Sequence, residues 1–375
     1  MELEPDVPGR DSQWVDTGRA VATTIRGAYP DTTPWSRAQL LEIFGKLRST
    51  GYLGSTIPEE ANGAGLTLGQ FASLTEGIAS AVPFLSNHSV QRFITAAGSP
   101  QARQRVLPGL LEGTSIGAVA VTEPRGGSSI KNPATTVLPR RGGLVLTGRK
   151  DWVTHAMTAD TAVVLAADDQ GRSVRVLVDL AAPGVERHPL RTHGLRHLTF
   201  GSLEFHEVAV ERWRILREDG AAGAKAGFGV ARVLVAVQAV AVAFEALAGT
   251  TRHLTTRTAR GSRVADLDLT THRVGGIAAE LLGARLLAYH AATAVQTGHP
   301  SAAALASGAK AHACATAVRA CTELLSMCAG HGLDTGTGIA AFRDDAEMLA
   351  TADGTGLVNS VLWGAHVKDH LAGSR

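Results

Sequence analysis

No charge of either sign dominates this chain: Lys and Arg total 36 against 34 Asp and Glu, a formal net charge of +2 over 375 residues. The basic residues are scattered, which excludes the clustered footprint of a nucleic-acid binder. Only three cysteines are present, Cys314, Cys321 and Cys328, seven apart in an Ala-rich stretch. That spacing is wrong for C-x-x-C chemistry and suits small buried residues along one helix face. The first residues, Met-Glu-Leu-Glu-Pro-Asp, lack the apolar core of a signal peptide, so a cytoplasmic enzyme is expected. No uninterrupted membrane-length run exists either. The best candidate, Val233 to Gly249, is broken by Gln238 and Glu245 and reads as a core helix of a bundle, so no membrane partner is expected. Repeats, linkers and low-complexity tails are also missing.

What is present falls into three blocks. From Pro34 to Gly113 the apolar spacing is helical, as in Leu40, Leu41, Phe44, Leu47 and then Phe71, Leu74, Ile78. From Gly117 it changes to short β-type runs, Ala118–Val121, Thr135–Leu138, Leu144–Leu146, Ala162–Leu165, Val174–Val178 and Leu203–Val210, which predict a small antiparallel sheet or barrel. The stretch with Gly220, Gly223, Gly227 and Gly229 fits no phosphate-loop pattern and reads as a connection. From Gly227 onward, long Ala-rich patterns broken near Gly261, Pro300, Gly330–Gly338 and Gly354 predict a four-helix bundle. The expected organisation is α+β: a helical unit over 1–116, a β unit over 117–225 and a helical bundle over 226–375.

Two segments carry candidate chemistry. Val121-Thr122-Glu123-Pro124-Arg125-Gly126-Gly127-Ser128 leaves a strand and enters a Gly/Ser turn; it is either a surface turn or a receptor for an anion or a cofactor's polar edge. Trp152 and Thr154, in Gly148-Arg149-Lys150-Asp151-Trp152-Val153-Thr154, share one face of an extended segment. They are either core residues or an aromatic wall beside a hydroxyl. His366 and His370 have i, i+4 spacing but no H-E-x-x-H register, and read as a solvated helix face.

Together these two segments resemble the T-E-P-x-x-G-S and W-I-T elements of the acyl-CoA dehydrogenase family. Ile57-Pro58-Glu59-Glu60-Ala61-Asn62-Gly63-Ala64-Gly65 is similar to its I-P-E-E-x-G-G-x-G, and Leu107-Pro108-Gly109-Leu110-Leu111-Glu112-Gly113 to its L-P-x-L-x-x-G. The resemblance spans almost the whole chain and implies that family's helix, sheet, bundle fold. It implies non-covalent FAD, an acyl-CoA or acyl-carrier-protein thioester as substrate, and a homodimer or homotetramer. Electrons would leave to an electron-transferring flavoprotein or to oxygen. Residue by residue, Thr122, Trp152 and Thr154 match positions at the flavin ring, and Ser128 one near pyrophosphate and substrate. Arg257, in Arg257-Thr258-Ala259-Arg260-Gly261, matches an arginine that reaches a neighbouring subunit's flavin, with Arg260 in place of an aromatic. Gly330 belongs to a segment resembling a further dinucleotide contact. Arg232 matches an arginine that shapes the acyl pocket; taken alone, a buried ion pair would explain it equally well.

Continuing without a gap from that glycine segment, the family's catalytic E-G-T falls on Asp353-Gly354-Thr355. The base implied is therefore Asp353, with Gly354 at the substrate and Thr355 at the cofactor. The tyrosine that commonly precedes the base is Ala352, and the arginine of an upstream R-D-A falls on Asp344, next to Arg343. Aspartate has the right group but is one methylene shorter. Three outcomes stay open: Asp353 as working base, a relative repurposed as a monooxygenase or eliminase, or a non-catalytic acyl-thioester-binding paralogue. No metal is implied.

Overall fold

The apolar spacing of the first block folds as helices where caps and core allow. A computed structural model describes residues 7–29, 33–81, 85–126, 132–140, 142–216, 221–259 and 261–373. Helix α1 spans Ser12–Ala28, α2 Arg37–Arg48, α3 Leu68–Ile78, α4 Leu85–Ala97, α5 Pro100–Arg105 and α6 Leu107–Glu112. Capping boxes start two of them. Ser36 Oγ accepts from the Gln39 N–H while the Gln39 side chain accepts from Ser36, and Thr67 and Gln70 repeat the pattern. The residues with helical spacing are the buried ones, Leu40, Phe44, Leu47, Phe71 and Leu74 among them. Helices α1 and α3 touch through Gly18 and Gly77, where a Cβ on Gly18 would lie 2.4 Å from the Leu74 carbonyl oxygen. Only glycine permits that approach.

The second block forms β1 Gly117–Ala120, β2 Thr136–Arg140, β3 Gly143–Thr154, β4 Thr161–Ala167, β5 Ser173–Asp179, β6 Val185–Leu190, β7 Phe200–Val210 and β8 Ile215–Leu216. The sheet runs β6-β7-β3-β2-β4-β5-β8, with β1 on β4. Two features differ from the sequence reading. The sheet is mixed, because β1 lies parallel to β4 and β2 makes one parallel pairing with β4. Strand β6 also carried no apolar alternation. Its Val-Glu-Arg-His-Pro-Leu is tolerated because it is the edge, where proline and charge do least harm to a sheet.

The third block is α7 Ala221–Thr256, α8 Asp268–Gln296, α9 Ala302–Met327, α10 Gly330–Leu333, α11 Ile339–Thr351 and α12 Gly356–Gly373. Gly223, Gly227 and Gly229 lie inside α7 and not in a connection, since the helix is carried by its neighbours' packing and not by propensity. Helix α7 is the axis of the molecule: α8, α9 and α11 pack on it from the bundle, α3 and α4 from the first block. Val233, Leu234, Val235, Val240 and Val242 are consequently buried within one chain. Its Phe228–Thr256 stretch is long and apolar enough to cross a membrane yet lies mostly inside the protein. The three cysteines are free and buried along α9 and its end.

Candidate active site

Thr122 follows β1 in a turn that three groups fix. Glu123 accepts from the N–H groups of Ala134 (2.8 Å) and Thr135 (2.9 Å), and Lys150 Nζ, fully buried, donates to it at 2.7 Å and to the Val121 carbonyl at 3.2 Å. Burial alone would raise the Glu123 carboxyl; the Lys150 ammonium and the two N–H groups overcome it and hold it at about 2. The Asp151 N–H then donates to the Thr122 carbonyl at 2.9 Å, clamping the turn to β3. Thr122 and the W-V-T segment are thus brought together. Ser128 lies outside the described residues.

Simple strand alternation does not set the orientation of Trp152. Between the pairs Lys150–Leu203 and Val153–Gly201 strand β3 has one residue more than β7, a bulge, and Trp152 takes φ +58° there. A bulky side chain in the left-handed region is rare and is held there by its surroundings. The result is a tryptophan 58% exposed beside the Thr122 turn, with the Thr154 hydroxyl two residues on. An exposed aromatic ring with the threonine hydroxyl of Thr154 close in the chain and that of Thr122 across the clamp is the kind of surface that a flat heterocycle needs.

Thr154 pairs with Phe200 across the ladder, and Phe200 belongs to one apolar cluster with Val235 and Ala239 of α7, Leu349 of α11 and, partly buried, Ala352. The next residue is Asp353. It stands in the turn between α11 and α12 with φ +49°, followed by Gly354 at φ +94°. The carbonyls of this turn are gripped from three directions. Lys310 Nζ, fully buried in α9, donates to Ala350 (2.7 Å) and Gly354 (2.6 Å). Asn359 Nδ2 donates to Gly354 (2.8 Å) and Thr355 (3.1 Å), and Arg232 Nε reaches the Asp353 carbonyl at 3.4 Å while its Nη1 donates to Ser307 Oγ at 3.1 Å. Thr355 Oγ1 accepts from the Val358 N–H at 3.4 Å, so this hydroxyl caps α12.

These bonds take main-chain oxygens and leave the Asp353 carboxylate without a hydrogen-bond donor among the described residues. Burial raises its pKa above the ordinary aspartate range, opposed by the charges of Lys310 and Arg232. Burial likewise pulls both cations below their usual ranges. The site therefore presents a sheltered, more basic carboxylate on a backbone held by an ammonium, a guanidinium and an amide. Arg232 acts first on the turn, a role distinct from lining an acyl pocket. Lys310 and Asn359 escaped the sequence reading. The available signal was a lone lysine at the same helical register as Cys314, on the face that α9 buries.

Arg257 and Gly330 occupy the other end of the bundle. His253 and His331 stack there, ring centroids 3.9 Å apart and planes 2° apart, and Arg257 follows one turn after His253 with no ion-pair partner among the described residues. At 1.5 Å per residue, the 25 residues from Arg232 to Arg257 span roughly 37 Å along α7. These two groups of residues are not brought together within one chain.

Three consecutive domain models match the chain: acyl-CoA dehydrogenase N-terminal domain over 20–114, middle domain over 118–208 and C-terminal domain over 218–362. The chain is 26% identical over 333 residues to benzylmalonyl-CoA dehydrogenase of Aromatoleum aromaticum, covering 85% of this chain and 88% of that protein. It is 26% identical to the caffeyl-CoA reductase–Etf complex subunit CarC of Acetobacterium woodii, covering 86% and 88%. Among solved structures, a glutaryl-CoA dehydrogenase from Mycobacterium smegmatis in complex with FADH2 superposes with a TM-score of 0.86 at 20% identity, over 96% of this chain and 95% of that one.

Proposed function

Because the chain belongs to the acyl-CoA dehydrogenase family, we propose that it is an FAD-dependent oxidoreductase that introduces an α,β double bond into an acyl-CoA or acyl-carrier-protein thioester. The helical unit 1–116, the β unit 117–225 and the bundle 226–375 divide the work. Thr122, Ser128, Trp152 and Thr154 hold the flavin ring and its pyrophosphate side, while Arg257, Gly330 and Thr355 serve the dinucleotide. When bound, FAD supplies the hydride acceptor. Asp353 takes the α-proton of the thioester onto its carboxylate, and main-chain N–H groups of the 353–355 turn polarise the thioester carbonyl. Arg232 and Gly354 keep that turn against the substrate.

The observation that carries this reading is the unpartnered Asp353 carboxylate, with a raised pKa, on a turn whose carbonyls are bound by Lys310, Arg232 and Asn359. A base needs a free carboxylate in a fixed place, and this turn supports both. The separation of roughly 37 Å between Arg257 and Arg232 along α7 supports assembly: each chain completes a flavin site on its neighbour, as a homodimer or homotetramer. Similarity to a subunit named for its Etf complex supports an electron-transferring flavoprotein as acceptor, and a cytoplasmic location is part of the proposal. Asp353→Asn tests the base. It keeps volume and flavin content, and anaerobic bleaching of the flavin by a thioester should slow by ~10²–10⁴-fold. Bleaching at the native rate would assign the proton abstraction to another group.

A further inference from the structure

Outside this site, metal-binding side chains converge at one place. Strands β6 and β7 each carry the tripeptide Glu-x-His, Glu186-Arg187-His188 and Glu204-Phe205-His206. Their antiparallel register puts Glu186 directly opposite Glu204, with His188 opposite Ser202 and His206 at the other end of the pair. Strand alternation places all four side chains on one face. Two carboxylates directly opposed across a ladder repel each other, so this register favours cations beside the pair.

Three of these donors converge on a common point, and the fourth, His206, flanks them against the other oxygen of each carboxylate. His188 Nε2 lies 3.7 Å from Glu186 Oε2 and 3.7 Å from Glu204 Oε1; His206 Nε2 lies 3.6 Å from Glu186 Oε1 and 3.5 Å from Glu204 Oε2. The donor atoms of Glu186, His188 and Glu204 all fall within 4.8 Å of one another. These separations exceed the range of a direct hydrogen bond. They approach the edge of a tetrahedron with metal bonds of about 2.0–2.1 Å, which is about 3.4 Å. Arg149 Nη1 donates to Glu204 Oε1 at 2.5 Å and Arg149 Nε to Asp151 Oδ1 at 2.9 Å. The Arg149 bond fixes the orientation of the Glu204 carboxylate, the kind of outer support that holds a ligating carboxylate in place. Glu186, Glu204 and Asp151 carry three negative charges against the single positive charge of Arg149, and one divalent cation balances them.

We infer that Glu186, His188 and Glu204, flanked by His206, form a binding site for a divalent transition metal, Zn2+ by the chemistry of imidazole and carboxylate donors. The ion ties the edge strand β6 to β7, away from Asp353. The test titrates Zn2+ alone into tag-free holoenzyme by calorimetry, with thermal unfolding in parallel. One Zn2+ per chain is expected, with a raised melting temperature. Glu204→Gln and His188→Gln each weaken binding at least tenfold, and Arg149→Ala weakens it by ~10–100-fold. The variant with His366→Gln and His370→Gln, which removes the histidine pair of α12, keeps the site intact. Absence of saturable Zn2+ binding, binding unaffected by Glu204→Gln and His188→Gln in correctly folded protein, or equal binding of Mg2+ would each overturn the assignment.

Discussion

Replacing Lys310 by Met removes the buried ammonium and keeps most of the side-chain volume. In the native protein that ammonium is shared by the carbonyls of Ala350 and Gly354, at 2.7 and 2.6 Å. Gly354 keeps Asn359 as a donor, whereas the Ala350 carbonyl, in the last turn of α11, loses the side chain that binds it. Hydrogen bonds to a charged donor are worth about 1.5–3 kcal/mol each, and relief of the lysine's own burial offsets part of that, so a net destabilisation of ~2 kcal/mol is expected. That is comparable with the ~1–2 kcal/mol by which an L-residue disfavours the left-handed conformation that Asp353 occupies. The turn is then no longer over-determined. A displacement of ~1 Å at the base costs on the order of 10²-fold in rate. The pH profile separates this positioning role from simple loss of packing. Lys310 lowers the Asp353 pKa against the effect of burial, so its removal raises that pKa further and moves the acid limb of kcat/KM to higher pH. Lys310→Arg keeps the charge and should restore the limb even where the rate stays low. An acid limb unmoved in folded, FAD-replete Lys310→Met would refute the reasoning.

Two further outcomes are expected. His155 and His197 are buried and held at about 4 and about 3, burial being the largest cause, so both are neutral when folded and take up protons on unfolding below about pH 6.5. Their contribution is complete above pH 6.5 and lost as pH falls toward those values, by ~3 kcal/mol each at about pH 4; urea titrations at both pH values should show less of this loss when both are replaced by Gln. For assembly, Leu357, Val361 and Leu371 of α12 are 76, 61 and 64% exposed, which suits burial against a second copy. Light scattering should give a multiple of 38.9 kDa, and a monomer with full FAD occupancy would disprove the shared-site proposal.

The helical periodicity of Leu40, Phe44 and Leu47, the short apolar runs of β4 and β5 and the Ala-rich runs of α7–α9 were legible in the sequence, because burial is written into each element's own apolar pattern. The order of blocks followed in the same way, whereas the T-E-P and W-V-T segments gained their meaning from the family resemblance. Other features depend on contacts between residues far apart in the chain. Strand β6 exists because β7 offers it an edge, against its own composition. Burial of α7 within one chain depends on α3, α4 and α11 closing around it. Trp152 is presented by a bulge whose register only the pairing with β7 defines. Asp353 could be placed by counting residues, but its raised pKa, and the grip on its turn of Lys310, 44 positions before Gly354, and Arg232, 121 positions before Asp353, could not. Local pattern fixes which face of an element is buried, whereas the charge state and backbone conformation of a single side chain depend on what tertiary packing brings against it.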